Sequence, residues 1–183
     1  QRFALSDTLS HYVPLTSFMQ INAVVNDQIQ RALLRHCQTE PPTSFWDVYS
    51  GVGNLSLLLA AQGIVGGGEE LNALSVQSAN RTLREWGQAE TYLISDARQS
   101  NSERPPTVDL LIANPPRAGL RDGVGLIDEL RPNRVFLMSC SLEAFVRDLT
   151  RLNARGYDID TVSGYDMFPY TAHVETTAVL RRR

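Results

Sequence analysis

Cysteine is scarce in this chain: Cys37 and Cys140 are the only two among 183 residues. Two thiols build neither a disulfide framework nor a cysteine metal cluster, and they suit a reducing compartment. No apolar run approaches the roughly 20 residues that a bilayer-spanning helix needs, and no signal-peptide pattern opens the chain. Strong net charge is lacking too: at −3 the molecule has no whole-chain basic field of the kind that draws in nucleic acid. A polyanion would have to be met locally. The chain opens on Gln1 rather than Met, which reads as the remainder of something longer. What is present, 43% apolar and 20% charged residues, is the balance of a globular protein with one core. The expectation is one domain over 1–183, with residues 1–40 an N-terminal segment and a helix leading into a sheet. It is expected to be monomeric and cytoplasmic, without membrane contact.

Ile21, Val24, Val25, Ile29, Leu33 and Leu34 recur at helical spacing, and Pro41-Pro42 stops that helix. Strand-like runs follow at 45–49, 63–69, 90–95, 108–114, 134–139, 157–163 and 173–180. Helical patterns at 55–62, 72–86, near 123–131 and at 142–152 separate most of them. This alternation predicts right-handed crossovers and a mainly parallel sheet covered on both faces. No clear helix divides the last two strands, so the final one is expected to run antiparallel. Arg181, Arg182 and Arg183 read as a solvated basic tail. Ligands of such sheets bind beyond the carboxyl ends of the strands, which is where informative residues are sought.

The stretch DVYSGVGNLS (47–56) is a strand, a glycine turn and a helix start. Gly51 and Gly53 allow a tight turn and close backbone approach. A dinucleotide fold wants a third glycine where Ser56 stands, which argues against a pyrophosphate ligand. Glu69, at the end of the next strand with Glu70 beside it, is placed to accept both hydroxyls of a ribose. With Asp47 and Asp96 it makes an acidic set that suits a sulfonium cation and repels a pyrophosphate, a pattern seen in S-adenosylmethionine-dependent methyltransferases.

Strand four ends in Asn114-Pro115-Pro116-Arg117. Two prolines stiffen the backbone and hold the Asn114 side chain at the strand's end. Methyltransferases acting on exocyclic amines place an aromatic after that motif; Arg117 stands there instead. Cys140, after an apolar run and before LEAFVRDL, points to another chemistry. A pyrimidine C5 cannot attack a sulfonium until a nucleophile adds at C6, and a thiolate is suited to that. The following helix is expected to lower the thiol pKa. A buried core thiol is the ordinary alternative. The C5 proton must then leave, and His173 and Glu175 are both candidate bases that alternation in a strand does not separate.

Taken in order, SFMQIN (17–22), DVYSGVGNLS, the Glu69 strand, ANPPRAGL (113–120), MSCSLEAFVRDLTRL (138–152) and DMFPYTAHVETTAVL (166–180) resemble the catalytic domain of the RNA uracil-5-methyltransferase family. The resemblance implies a Rossmann-like α/β fold with a seven-stranded, mainly parallel sheet and an antiparallel last strand. It implies that Cys140 is the nucleophile and Glu175 the base, and that Gln20, Tyr49, Glu69 and Asn114 contact S-adenosylmethionine. Phe18 and Gln20 fall in the segment that closes over the substrates. Gly51 and Asp96 join the expected cofactor contacts, and Arg117 and His173 the expected substrate contacts. The implied reaction is methylation of uracil C5 in RNA, with the Asn-Pro-Pro-Arg variant resembling the branch that acts on 23S ribosomal RNA. No metal is expected in this chain; the family's N-terminal RNA-binding part, which often holds an iron-sulfur cluster, is taken to lie in a missing segment. Relatives usually read Ser-Cys-Asn-Pro-x-Thr at the nucleophile, whereas residues 139–144 read Ser-Cys-Ser-Leu-Glu-Ala. Two other readings stay open: an amine methyltransferase working through Asn114-Pro115-Pro116, and a module that binds cofactor or RNA without turnover.

Overall fold

Apolar runs too dense to have a wet face become the central strands of a sheet with seven members. The computed structural model describes residues 1–6, 9–15, 17–171 and 173–183. In chain order it contains β1 (Arg2–Ala4), β2 (Ser10–Tyr12), α1 (Ala23–Thr39), β3 (Ser44–Val48), α2 (Leu57–Ala61), β4 (Val65–Glu70), α3 (Ala73–Glu85), β5 (Tyr92–Ile94) and β6 (Leu110–Ala113). A 3-10 turn at Arg121–Gly125 leads into α4 (Leu126–Leu130), followed by β7 (Arg134–Ser139), α5 (Leu142–Ala154), β8 (Tyr157–Tyr165) and β9 (Glu175–Arg182). The large sheet has the order β5-β4-β3-β6-β7-β9-β8. Strands β3 to β7 pair in parallel, while β9 inserts antiparallel between β7 and β8.

Both faces of the sheet's centre are packed, which is why β6 and the inner part of β7 read as unbroken apolar runs. Phe45, Ile112, Phe136 and Met138 face Ile29 and Leu33 of α1, Leu57 of α2, and Val76 and Leu83 of α3. Trp46, Leu111, Val135 and Leu137 face Leu126, Ile127 and Leu130 of α4 and Phe145 and Leu152 of α5. Each such side chain, once fully buried, contributes about 1.5–3 kcal/mol. Asparagine caps start two of the helices: Asn22 accepts from Val25 N at 3.2 Å, and Asn72 accepts from Leu74 N at 3.0 Å.

Within the N-terminal segment, before α1, β1 and β2 form a separate antiparallel hairpin docked on α3, where Tyr12 N donates to Thr82 Oγ1 at 3.0 Å. The terminal arginines are not the expected solvated tail. Arg181 and Arg182 are ladder residues of β9, and Arg181 makes two bonds to the Glu40 carboxylate at 3.0 and 2.7 Å. Among the described residues no helix is long and apolar enough to cross a membrane.

The register sets where chemistry can occur. Val48 is level with Glu69 and with Ala113, Glu69 with Leu93, and Ala113 with Leu137. The segments leaving β3, β4, β5, β6 and β7 therefore emerge along one edge. The chain turns from β3 toward β4 on one side and enters β6 on the other, so the switch in strand order lies between β3 and β6.

Candidate active site

A cleft of about 930 Å³ opens at that switch, lined by the segments after β3, β4, β5, β6 and β7, with residues 18–20 and Phe168, His173 and Glu175 at its sides. Every site residue expected from the sequence lines it: Phe18, Gln20, Tyr49, Gly51, Glu69, Asp96, Asn114, Arg117, Cys140, His173 and Glu175. The hairpin residue His11 lines it too. No local pattern marks His11, because its strand is three residues long.

On the β3 side the backbone turns through left-handed conformations at Tyr49, Gly51 and Gly53, with φ of 59°, 56° and 79°. A non-glycine residue held there costs free energy and clusters at functional sites. Tyr49 spans the crevice, its hydroxyl donating to Leu120 O at 3.4 Å. A Cβ on Gly51 would meet only open space, so a ligand has room beside that turn. Under it Asp47, fully buried, accepts the Ser56 hydroxyl, and burial pushes Asp47 up to about 7.

The two adjacent glutamates have different occupations. Strand alternation sends them to opposite faces. Glu69 is fully buried, and its Oε2 accepts from Arg104 Nε at 2.8 Å. Arg104 also donates to Asp96 O at 3.2 Å and to Glu129 at 3.1 Å, so the pair anchors the segment that carries Asp96. Glu70 instead accepts from Gly51 N at 3.2 Å and from Asn72 N at 2.9 Å, in the cleft at the lip of the glycine turn. Asp96 is gripped by Arg98 through bonds of 2.9 and 2.7 Å, which hold its carboxyl at about 2.

At the opposite side of the cleft, Gly119 N donates to Pro116 O at 2.8 Å, closing a turn with Arg117 at its corner. Ser139, the last residue of β7, pairs with Thr176 of β9. Cys140 and Glu175 each lie one residue beyond that pair. Cys140 is half-buried and Glu175 is 2% exposed. Burial pushes Glu175 up to about 7. His173 lies before the strand, not in it, and is exposed. Its ring meets Arg117 Nη2 at 3.0 Å.

The expected depression of the Cys140 pKa is not found. Burial first, and then the Glu175 charge, push the thiol above its ordinary range. The Arg117 guanidinium opposes them by charge and by a hydrogen bond. The helix that follows begins with Ser141 as its cap, accepting from Ala144 N at 3.4 Å. Serine is among the residues preferred at a helix N-cap.

The strand order and the acidic cleft beside a glycine turn define a class: the Rossmann-like fold of S-adenosylmethionine-dependent methyltransferases. Solved members of that class superpose on it. The magnesium protoporphyrin IX methyltransferase of Synechocystis, with bound SAM, aligns over 87% of this chain and 79% of its own at a TM-score of 0.67 and 18% identity, which speaks for the fold alone. The Pyrococcus abyssi tRNA (uracil-54, C5)-methyltransferase, in complex with S-adenosyl-L-homocysteine, aligns at a TM-score of 0.82 and 29% identity over 98% of this chain and 44% of its own. Residues 106–183 match the tRNA (uracil-5-)-methyltransferase family model. The 23S rRNA (uracil(1939)-C(5))-methyltransferase RlmD of Marinomonas is 30% identical over 99% of this chain and 42% of its own length. A 23S rRNA (uracil(747)-C(5))-methyltransferase of Pyrococcus horikoshii is 30% identical over 96% of this chain and 41% of its own. This chain is similar over nearly all of its length to RNA uracil-5-methyltransferases, and it spans under half the length of these relatives.

Proposed function

We propose that this chain is the catalytic domain of an S-adenosylmethionine-dependent enzyme, acting in the cytoplasm, that methylates C5 of a uracil in RNA, with 23S ribosomal RNA as the substrate class. The observation that carries the proposal is that Cys140 and the buried Glu175 each lie one residue beyond the last β7–β9 pair, both lining one cleft. The relatives' activities support the uracil and RNA parts of it.

The cleft fits the methyl donor. A volume of about 930 Å³ is within the usual range for ligand sites of roughly 300–1,000 Å³. Carboxylates border a turn whose Gly51 amide is already taken by Glu70, an arrangement hostile to phosphate and suited to a ribose and a cation. Gln20, Tyr49, Gly51, Asp96 and Asn114 would hold the cofactor. Glu70 replaces Glu69 as the ribose acceptor, because the Glu69 carboxylate is committed to Arg104 under the cleft floor. Bound there, the cofactor supplies an electrophilic methyl group.

The remaining work falls to the chain's own residues. The Cys140 thiol gives up its proton to solvent and its sulfur bonds to C6 of the uracil; the C5–C6 electron pair moves onto C5 and O4, making C5 nucleophilic. Arg117 stabilises the thiolate before attack. After methylation Glu175 takes the hydrogen from C5. The pair left behind restores the double bond and expels the sulfur as thiolate. A carboxyl at about 7 is matched to accepting that proton near neutral pH. The base must leave its stack to reach these groups, and the exposed Phe18 stands at the mouth to meet it.

Glu175→Gln separates attack from release. With cofactor and ribosomal RNA present, this variant is expected to accumulate a covalent protein–RNA complex that survives denaturing electrophoresis and is absent when Cys140 is also changed to Ala. Free methylated RNA, formed by Glu175→Gln at the parental rate with no such complex, contradicts the assignment.

A further inference from the structure

We propose that Arg147 and Asp148 are positioning residues, clamping the Pro116–Leu120 loop from α5 so that Arg117 stands over the Cys140 sulfur. The inference rests on the reading of Cys140 as the nucleophile. Arg147 Nη2 donates to Ala118 O at 2.7 Å, and Leu120 N donates to Asp148 Oδ2 at 2.8 Å. These two bonds bracket Gly119, which has φ +77°, and a Cβ there would lie 2.4 Å from Asp148 Oδ2. The loop and the carboxylate are therefore in direct contact, with space for glycine alone. Arg117 is at the corner of the turn just upstream, and its guanidinium reaches His173.

Fold stability gives no reason for a carboxylate in this position. Asp148 is 0% exposed, and its Oδ1 has no hydrogen-bond partner among the described residues. Burial without full pairing raises its pKa and costs free energy, whereas an apolar side chain in the same layer as Phe145 and Leu152 would be cheaper. The gain is geometric. Helix α5 begins two residues after Cys140, so one rigid element fixes both the sulfur and the loop that presents Arg117 to it.

The test reads the thiol itself, with neither cofactor nor RNA: the pH dependence of Cys140 alkylation by iodoacetamide. Cys37 stays silent, since burial leaves it 3% exposed and pushes its thiol up to about 11. Both Arg117→Met and Asp148→Ala are expected to raise the alkylation midpoint by about one pH unit, a roughly tenfold slower reaction at pH 8. Combining them should add nothing further. Asp148→Asn keeps an oxygen for Leu120 N while losing the charge, so its midpoint should lie at or below the parental one, and Arg147→Met should shift in the same direction as Asp148→Ala. The direction is diagnostic, because removing a negative charge without moving the loop would lower the midpoint. An unchanged or lowered midpoint in Asp148→Ala, or shifts that add to those of Arg117→Met, overturns the proposal. Should Asp148→Ala not fold, Arg147→Met decides alone: an unshifted midpoint refutes the clamp. Failure here is distinct from failure of the proposed function, since trapping of RNA on Cys140 does not depend on the alkylation profile.

Discussion

Glu175 shows how one side chain can be tuned by position alone. Its carboxyl is pushed up to about 7 by burial, so the folded state binds its proton more tightly than the unfolded chain does, where a glutamate titrates near 4.3. The contribution to stability is fully present below about pH 4 and is lost as pH rises through 7. Replacing the group by Gln removes that loss. Between pH 4 and pH 8 the stability difference is expected to move in favour of Glu175→Gln by about 3 kcal/mol, measured by urea unfolding at each pH; parallel pH profiles contradict it. Individual residues also show what the sequence could not supply. Cys140 and Arg117 stand out as candidates because few residue types perform their chemistry, whereas alternation does not separate His173 from Glu175 and only the resemblance points to Glu175. The choice between Glu69 and Glu70 was not legible, since neighbours on a strand point to opposite faces and nothing local says which face borders the cleft. Arg104, whose bond to Glu69 favours Glu70 as the ribose acceptor, is 35 residues away in the chain from Glu69.

Helix α5 carries most of the site's geometry from a modest sequence signal. Its inward positions, Ala144, Phe145, Asp148 and Leu152, follow the 3.6-residue period that made it visible. Its start relies on Ser141 where relatives commonly have Asn. Serine and asparagine cap about equally well, and loss of the cap costs about 1 kcal/mol. Ser141→Ala is accordingly expected to lower unfolding stability by about 1 kcal/mol in urea titrations, and Ser141→Asn to leave it unchanged. If Ser141→Ala is neutral, the cap does not hold this helix end. Elements with a long period were read within two residues of their ends, as β7 and α5 were. The β1–β2 hairpin was missed because three-residue strands are too short to display alternation. The end of the chain misled for a related reason: polar Arg181 and Arg182 sit in β9 only because β7 and β8 flank them.

At the scale of the whole molecule, the seven-stranded order explains why distant motifs meet. Parallel strands in step bring the ends of β3, β4, β6 and β7 to one edge, and the inserted β9 delivers Glu175 to the same edge from the opposite direction. The alternation of strands and helices announced that edge; the insertion of β9 between β7 and β8 depends on tertiary pairing that no local pattern encodes. Charge is likewise a matter of placement. All 17 basic residues are arginine, and the net charge is still −3. Several are spent inside the fold, Arg104 on Glu69, Arg134 on Asp109 and Arg147 on Ala118. Exposed arginines remain at the cleft, among them Arg98, Arg117 and Arg121, where the proposed RNA substrate would meet them.

The central claim is that carbon, not nitrogen, is methylated, through a thiolate that adds to the ring and a base that removes the C5 hydrogen. Ribosomal RNA tritiated at uracil C5, supplied with cofactor, tests it most directly. The account predicts one tritium released to water for each methyl group transferred, with both abolished by Cys140→Ala. Methylated RNA that keeps all of its tritium, or release undiminished in Cys140→Ala, contradicts it.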